Sequence, residues 1–191
     1  MITIVKIGGS LAADPERRRA LLAALADGVH GRCVVVPGGG AFADAVRDAQ
    51  TRAGFDESEA HRRALDAMGR MADALRRIEP RLARSTEPWN EPSDAVVRVW
   101  DPAVLRAGHP AIPESWDVTS DSLAIWLAAQ LRAARCILVK SVDARPGHLP
   151  ATLAAAGLVD AAFPAFASRY SGVIEIWGPT GKVAVERRAA A

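Results

Sequence analysis

The residues best suited to chemistry sit in two glycine-bearing stretches and one acidic one. Lys6-Ile7-Gly8-Gly9-Ser10 closes the apolar run Ile2-Thr3-Ile4-Val5, and Gly38-Gly39-Gly40 closes the run Cys33-Val34-Val35-Val36-Pro37. Glycine lets the backbone approach an anion and offer its amides with no side chain in the way. Lys6 adds a full charge beside the first set. Arginine is the common cation of this chain, and Lys6, Lys140 and Lys182 are its only lysines. A lysine inside so apolar a run has little reason to be there unless it is used. Neither stretch is a Walker A loop, because Gly-x-x-x-x-Gly-Lys-Ser/Thr is absent, and no third glycine completes a dinucleotide fingerprint. Phosphoryl transfer requires compensation of charge on the moving group, which Lys6, the Gly8 and Gly9 amides and the Ser10 hydroxyl could supply. Gly38, Gly39 and Gly40 would cradle the acceptor or the transferred phosphate at the start of the next helix. The competing reading is a pair of plain glycine turns, with Lys6 reaching solvent.

The acidic stretch is Asp117-Val118-Thr119-Ser120-Asp121-Ser122. Thr119 or Ser120 would cap the helix that follows, and Asp121 in its first turn would favour the helix dipole. Two acids four apart among three hydroxyls exceed what a cap needs. Asp121 could hold lysine ammonium groups in register or help a magnesium–nucleotide dock.

The elements that must position these residues alternate between strand and helix patterns. Apolar β-branched runs predict strands over 2–7, 32–37, 95–100, 135–141 and 172–177. Asp14-Pro15 reads as an N-cap with proline at the first helical position, opening a helix to about 27 that turns Leu21, Leu22 and Leu25 inward. A second helix over 41–52 ends at Gly54, and a long one is expected over 57–83. Its stripe is Leu65, Met68, Met71 or Ala72, Leu75 and Ile78. A polar connection follows over 85–93. Then come a short helix capped by Asp101, an apolar helix over 120–134 and short helical pieces over 151–156 and 161–168. After Gly178-Pro179-Thr180-Gly181 a basic tail is expected. Trp89, Trp100 and Trp116 lie near loops where an aromatic substrate could stack, core filling being the commoner use. No repeat or linker interrupts the pattern, so residues 1–191 read as one domain. Such alternation implies a mainly parallel sheet covered on both faces, with its site beyond the carboxyl ends of the strands.

Composition narrows the classes. The net charge of +2 is small, and the arginines are dispersed without interleaved aromatics, which argues against nucleic acid. No apolar run is long enough to cross a membrane, and the N-terminus does not read as a targeting segment. Both points favour a cytoplasmic protein. Cys33 and Cys136, both in expected core strands, read as reduced thiols, a disulfide requiring those strands to be neighbours.

Four stretches in order resemble the amino acid kinase superfamily, which includes acetylglutamate, carbamate, uridylate, aspartate and isopentenyl phosphate kinases. They are Lys6-x-Gly8-Gly9-Ser10, Pro37-Gly38-Gly39-Gly40, Thr119-Ser120-Asp121 opening an apolar helix, and Leu138-Val139-Lys140-Ser141-Val142-Asp143. The resemblance covers roughly 1–54 and 115–145, and extends more loosely to the end. It implies a three-layer αβα sandwich with a central, mainly parallel sheet. It also implies ATP and Mg2+ as cofactors, transfer to a small-molecule acceptor without a covalent enzyme intermediate, and a tendency to homo-oligomers, for which the 57–83 helix offers a surface. By position, Lys6 would contact the transferring phosphoryl group, with Gly8, Gly9 and Ser10 around the β- and γ-phosphates. Asp121 would organise the lysines. Thr119, Ser120 and Gly38–Gly40 would lie near the acceptor, and Lys140, Asp143, Gly178 and Thr180 on the nucleotide side. The Gly-Gly-Met-x-x-Lys segment that supplies a second catalytic lysine in many members is missing. Lys140 is the candidate for that role and Lys182 the reserve. The metal ligands are left open.

Within that superfamily, the small size and the run Trp116–Ser122 look most similar to the short kinases of methanofuran biosynthesis, which phosphorylate an aminomethylfuran-methyl phosphate. The implied acceptor is a phosphate monoester, with Asp117 beside Trp116 receiving its amine. A carboxylate or carbamate acceptor is the first alternative, and a ligand-binding regulator without turnover is the second.

Overall fold

The computed structural model describes residues 2–90 and 95–186. Among the described residues seven strands form one sheet in the order β3-β4-β2-β1-β5-β6-β7. They are β1 (Ile2–Ile7), β2 (Arg32–Pro37), β3 (Ala83–Ser85), β4 (Val97–Trp100), β5 (Arg135–Val139), β6 (Val173–Trp177) and β7 (Lys182–Ala184). Every pairing is parallel except β6–β7. The helices are α1 (Pro15–Ala26), α2 (Gly40–Ala53), α3 (Glu57–Ile78), α4 (Ser120–Gln130), α5 (Pro150–Ala155) and α6 (Phe163–Ala167). Short 3₁₀ segments cover Gly9–Ala13 and Pro102–Ala107. No helix among the described residues is long and apolar enough to cross a membrane.

Strand periodicity sorts the sheet into two faces. Ile4, Val34, Val36, Cys136, Leu138, Ile174 and Ile176 pack on one side with the apolar residues of α4 and with Phe163 and Phe166 of α6. Val5, Val35, Val97, Val99, Ile137 and Val139 pack on the other with Leu22 and Leu25 of α1. The long α3 serves both layers, sending Leu65 and Met68 to the first and Ala72 and Leu75 to the second. This is an α/β three-layer sandwich, buried on both sheet faces as its unbroken apolar strands require. Because Lys6 lies two residues beyond Ile4, it belongs to the α4 face. Lys140 lies two residues beyond Leu138, and Leu138 is the register partner of Lys6. Alternation therefore puts both lysines on one face, at the carboxyl end of the sheet.

Several expectations change. Helix α3 stops at Ile78 instead of continuing to 83. Pro80 disfavours helical geometry at Glu79, whose backbone is extended. The residues so released include β3, an edge strand parallel to β4. Helix α4 ends at Gln130 rather than 134, and Arg132 follows with φ of 48°. After Gly181 the chain forms β7, antiparallel to β6, where a basic tail was expected. Residues 91–94 at the end of the polar connection, and the chain from 187 onward with Arg187-Arg188, lie outside the described residues. Cys33 and Cys136 are buried free thiols on strands that flank β1, and they face opposite layers. Trp100 is fully buried and stacks on Trp126 at 6.0 Å, with Trp89 edge-on to the same ring. Of the three loop-side tryptophans, Trp100 is thus core filling.

The two glycine turns touch each other. A methyl group on Gly9 would overlap the Cα of Gly40, and one on Gly38 would sit 2.9 Å from the Gly9 nitrogen. Gly40 itself has φ of +51°. Gly9→Ala should therefore lower the unfolding free energy by about 1–3 kcal/mol, read as a lower urea midpoint at unchanged slope. Wild-type stability in that variant would mean that the turns do not meet.

Candidate active site

Asp121 lies in the first turn of α4 and is 5% exposed. Its Oδ1 is 2.9 Å from Lys6 Nζ, and its Oδ2 is 2.8 Å from Lys140 Nζ. The Lys140 ammonium also reaches Oδ1 at 2.8 Å. Lys6 and Lys140 are 5% and 8% exposed, so two cations and one anion share a buried position with a net charge of +1. Burial alone would raise the Asp121 carboxyl; the two ammonium groups outweigh it and hold the carboxyl below its ordinary range. Burial, with the Lys6 charge beside it, brings Lys140 down to about 8. Lys182, the reserve for the second lysine, is elsewhere: it is exposed, with Nζ 3.8 Å from the centroid of the Trp177 ring.

What aims Asp121 is a residue that sequence reasoning missed. Thr119 occupies the N-cap of α4, but its side chain makes no capping bond. Asp160, 38–41 residues downstream, does that work. Its Oδ2 accepts from the Thr119 and Ser122 backbone amides at 2.9 and 3.0 Å and from Thr119 Oγ1 at 2.8 Å, while Ser122 Oγ donates to Oδ1. One carboxylate thus satisfies orphan amides at the helix start and locks both neighbours of the Ser120-Asp121 pair. Burial raises the Asp160 carboxyl, and the Asp121 charge adds to that; the bonds from Ser122 and Thr119 oppose it. Only its position before a short helix could have flagged it, a weak signal.

Two cavities adjoin near the start of α4. The first, about 590 Å³, is lined by Gly9, Gly38–Gly40, Thr119 and Ser120 together with His61, Leu65 and Met68 of α3. The second, about 460 Å³, is lined by Asp121, Lys140, Ser141, Val142 and Gly157–Asp160. Arg47, Trp116 and Thr119 line both. The Arg47 guanidinium lies 4.0 Å from the Trp116 ring centroid, and Trp116 Nε1 donates to Gln50 Oε1 at 2.7 Å. These shared residues separate the two compartments, and Asp121 and Lys140 of the bridge line the second.

The remaining candidates divide. Gly8 precedes the 3₁₀ turn that Gly9 and Ser10 begin, and the Gly8 carbonyl accepts from the Leu11 amide at 3.1 Å. Asp143 is exposed and bound within the protein. It accepts from the Thr180 amide at 3.0 Å, Thr180 Oγ1 at 2.7 Å and the Gly181 amide at 3.1 Å, and these bonds hold its carboxyl below the ordinary range. A methyl on Gly178 would overlap the same carboxylate. Asp143, Gly178 and Thr180 thus tie the loop after β5 to the β6–β7 turn. Arg17 of α1 braces that edge by donating to the carbonyls of Lys140, Trp177 and Gly178 at 2.8, 3.0 and 2.6 Å. Asp117 is exposed and lines neither cavity, whereas its neighbour Trp116 lines both.

The arrangement fits a polyphosphate. The turns have no room for Cβ atoms at Gly9 and Gly38, leaving bare backbone beside a buried net positive charge. Both Asp121 oxygens are engaged by ammonium groups, and among the described residues no group of three or more His, Cys, Asp or Glu is gathered for a metal.

Comparison with known proteins agrees with this geometry. Residues 1–87 match the model of the Amino acid kinase family. The chain is 28% identical over 142 residues to the [5-(aminomethyl)furan-3-yl]methyl phosphate kinase of Methanocaldococcus jannaschii. That alignment covers 73% of this chain and 66% of the relative's length. The fold is similar to uridylate kinase from Archaeoglobus fulgidus (TM-score 0.66, 19% identity, 97% of this chain and 91% of the other). It is also similar to UMP kinase from Bacillus anthracis (TM-score 0.68, 15% identity, 100% and 97%). Over residues 1–87 the chain thus resembles the Amino acid kinase family, and its fold is that of the uridylate kinases it is similar to.

Proposed function

We propose that this protein is an ATP-dependent kinase that transfers the γ-phosphoryl group to a small phosphate monoester of the aminomethylfuran-methyl phosphate kind. The observation that carries the reading is the buried Lys6–Asp121–Lys140 bridge, whose Asp121 and Lys140 line one of two adjoining cavities. In this reading the nucleotide occupies the cavity beside Lys140 and Ser141, and the acceptor lies against Gly38–Gly40, Thr119 and Ser120. An acceptor phosphate oxygen attacks the γ-phosphorus as the bond to the β–γ bridging oxygen breaks, and ADP leaves with that electron pair. Little proton movement is needed, so catalysis consists of alignment and charge compensation. Lys6 and Lys140 supply the compensation, and Asp121 keeps two like charges close enough to act on one group. The similarity to the furan phosphate kinase supports the acceptor class. The apolar wall of Ala64, Leu65, Met68, Val118 and Leu123 suits a small ring behind the phosphate.

The direct test is ADP release from ATP and Mg2+ with and without [5-(aminomethyl)furan-3-yl]methyl phosphate. Acceptor-dependent release is expected. Turnover only with carboxylate or carbamate acceptors would replace the acceptor class, and nucleotide binding without turnover on any acceptor would make the chain a regulator.

Two variants probe the bridge. Lys6→Ala should lower kcat by about 10³-fold or more, the scale of losing a cation on the transferring phosphoryl group, while the fold persists by circular dichroism. Retained activity would remove Lys6 from the mechanism. Lys140 loses its charge as pH rises through about 8, so kcat/KM should fall on the alkaline side above that value, about tenfold per pH unit. In Lys140→Arg that limb should vanish below pH 10, because guanidinium stays charged. The loss would not reflect unfolding at this group: between about 8 and its ordinary 10.5 the unfolded chain binds the extra proton, so this contribution to stability grows with pH. A flat wild-type profile to pH 10 would exclude Lys140 as the charge that matters.

A further inference from the structure

His61 lies on α3, is 4% exposed, and lines the larger cavity. Its Nδ1 is 3.1 Å from the Ser115 carbonyl oxygen. A carbonyl can only accept, so the proton of the ring is on Nδ1. In the neutral imidazole Nε2 is then a bare acceptor, and it has no hydrogen-bond partner in the protein. Burial holds the ring's pKa below its ordinary value, which keeps that lone pair free at neutral pH. Buried acceptors are nearly always paired, and Nε2 is closed to solvent in this conformation, so a donor at the α3 end of the cavity would repair the defect through a small shift of the ring. The surroundings agree in sign. The other side chains of the cavity are apolar apart from Thr119, Ser120, the cation Arg47, the carboxylate Asp44 and the indole of Trp116. A ligand lying across it can direct its phosphate toward the glycine turns and Arg47 and its far end toward α3. Asp117, expected to receive an amine, is not in this cavity.

We infer that His61 is a specificity residue of the acceptor site, whose Nε2 accepts a hydrogen bond from an N–H or O–H group at the non-phosphate end of the acceptor. The inference rests on the kinase reading for the identity of that site, but it concerns binding alone. A phosphate monoester that carries a small ring and an amine or hydroxyl satisfies it; the same skeleton ending in a methyl group leaves Nε2 unpaired. Sites built around a buried polar group discriminate strongly against ligands that lack its partner.

The test is calorimetric binding to the full chain at pH 7.5 with two probes, [5-(aminomethyl)furan-3-yl]methyl phosphate and its deaminated analogue (5-methylfuran-3-yl)methyl phosphate. The wild type should bind the amine at least tenfold more tightly. His61→Phe keeps a ring of similar size without the acceptor and should abolish the preference by weakening the amine alone. His61→Gln restores an acceptor near the Nε2 position and should recover most of the preference, which a merely structural role would not do. Equal binding of the two probes by the wild type, an undiminished preference in His61→Phe, or no binding of either probe would overturn the inference. Failure of the kinase reading looks different: His61-dependent binding of the amine with no acceptor-dependent ADP release.

Discussion

Two lysine ammonium groups held against one buried carboxylate are the constraint on which the site depends. Removing charges from water carries a large penalty that a single buried pair barely recovers. Here the balance is left one positive charge in excess, with all three residues at most 8% exposed. Such a cluster persists only if the surrounding frame fixes it. The sheet does so by holding Lys6 and Lys140 on adjacent parallel strands with their side chains on one face. A polyanion entering beside them would complete the charge balance. Burial and the Lys6 charge both disfavour the protonated form of Lys140 and hold its pKa below the ordinary value.

The carboxylate must be as well fixed as the cations, and the chain does this from an unexpected quarter. The segment between β5 and β6 lies far from α4 in sequence. It supplies Asp160, which caps α4 across some forty residues of sequence and clasps Thr119 and Ser122 on either side of Ser120-Asp121. The second cation comes from the end of β5. The C-terminal third therefore contributes to the site, by orienting Asp121 and by tying the β5 loop to the β6–β7 turn through Asp143 and Thr180.

The glycines serve proximity as much as flexibility. With Gly9 against Gly40 and Gly38 against the Gly9 nitrogen, the loops after β1 and β2 share one surface that any Cβ there would block. Parallel strands release their chains at the same end of the sheet, so neighbouring β1 and β2 deliver the two turns side by side. The Arg47–Trp116 stack then stands between the cavity lined by α2 and α3 and the cavity beside Lys140.

Local pattern was enough for the strands β1, β2, β4, β5 and β6, the helices α1 and α2 with their caps, and the glycine turns, because apolar period and turn chemistry are written in consecutive residues. Strand alternation also marked Lys6 as a lysine where an apolar residue would be expected. Edge strands β3 and β7 escaped notice: each has three residues, and their pairing is decided by the neighbours β4 and β6 rather than by their own composition. Pro80, which ends α3, was legible and would have revealed the first. The choice of Lys140 over Lys182, the capping of α4 by Asp160 and the unpaired nitrogen of His61 belong to the tertiary structure. Each depends on which distant atoms share a buried space, and no spacing along the chain encodes that.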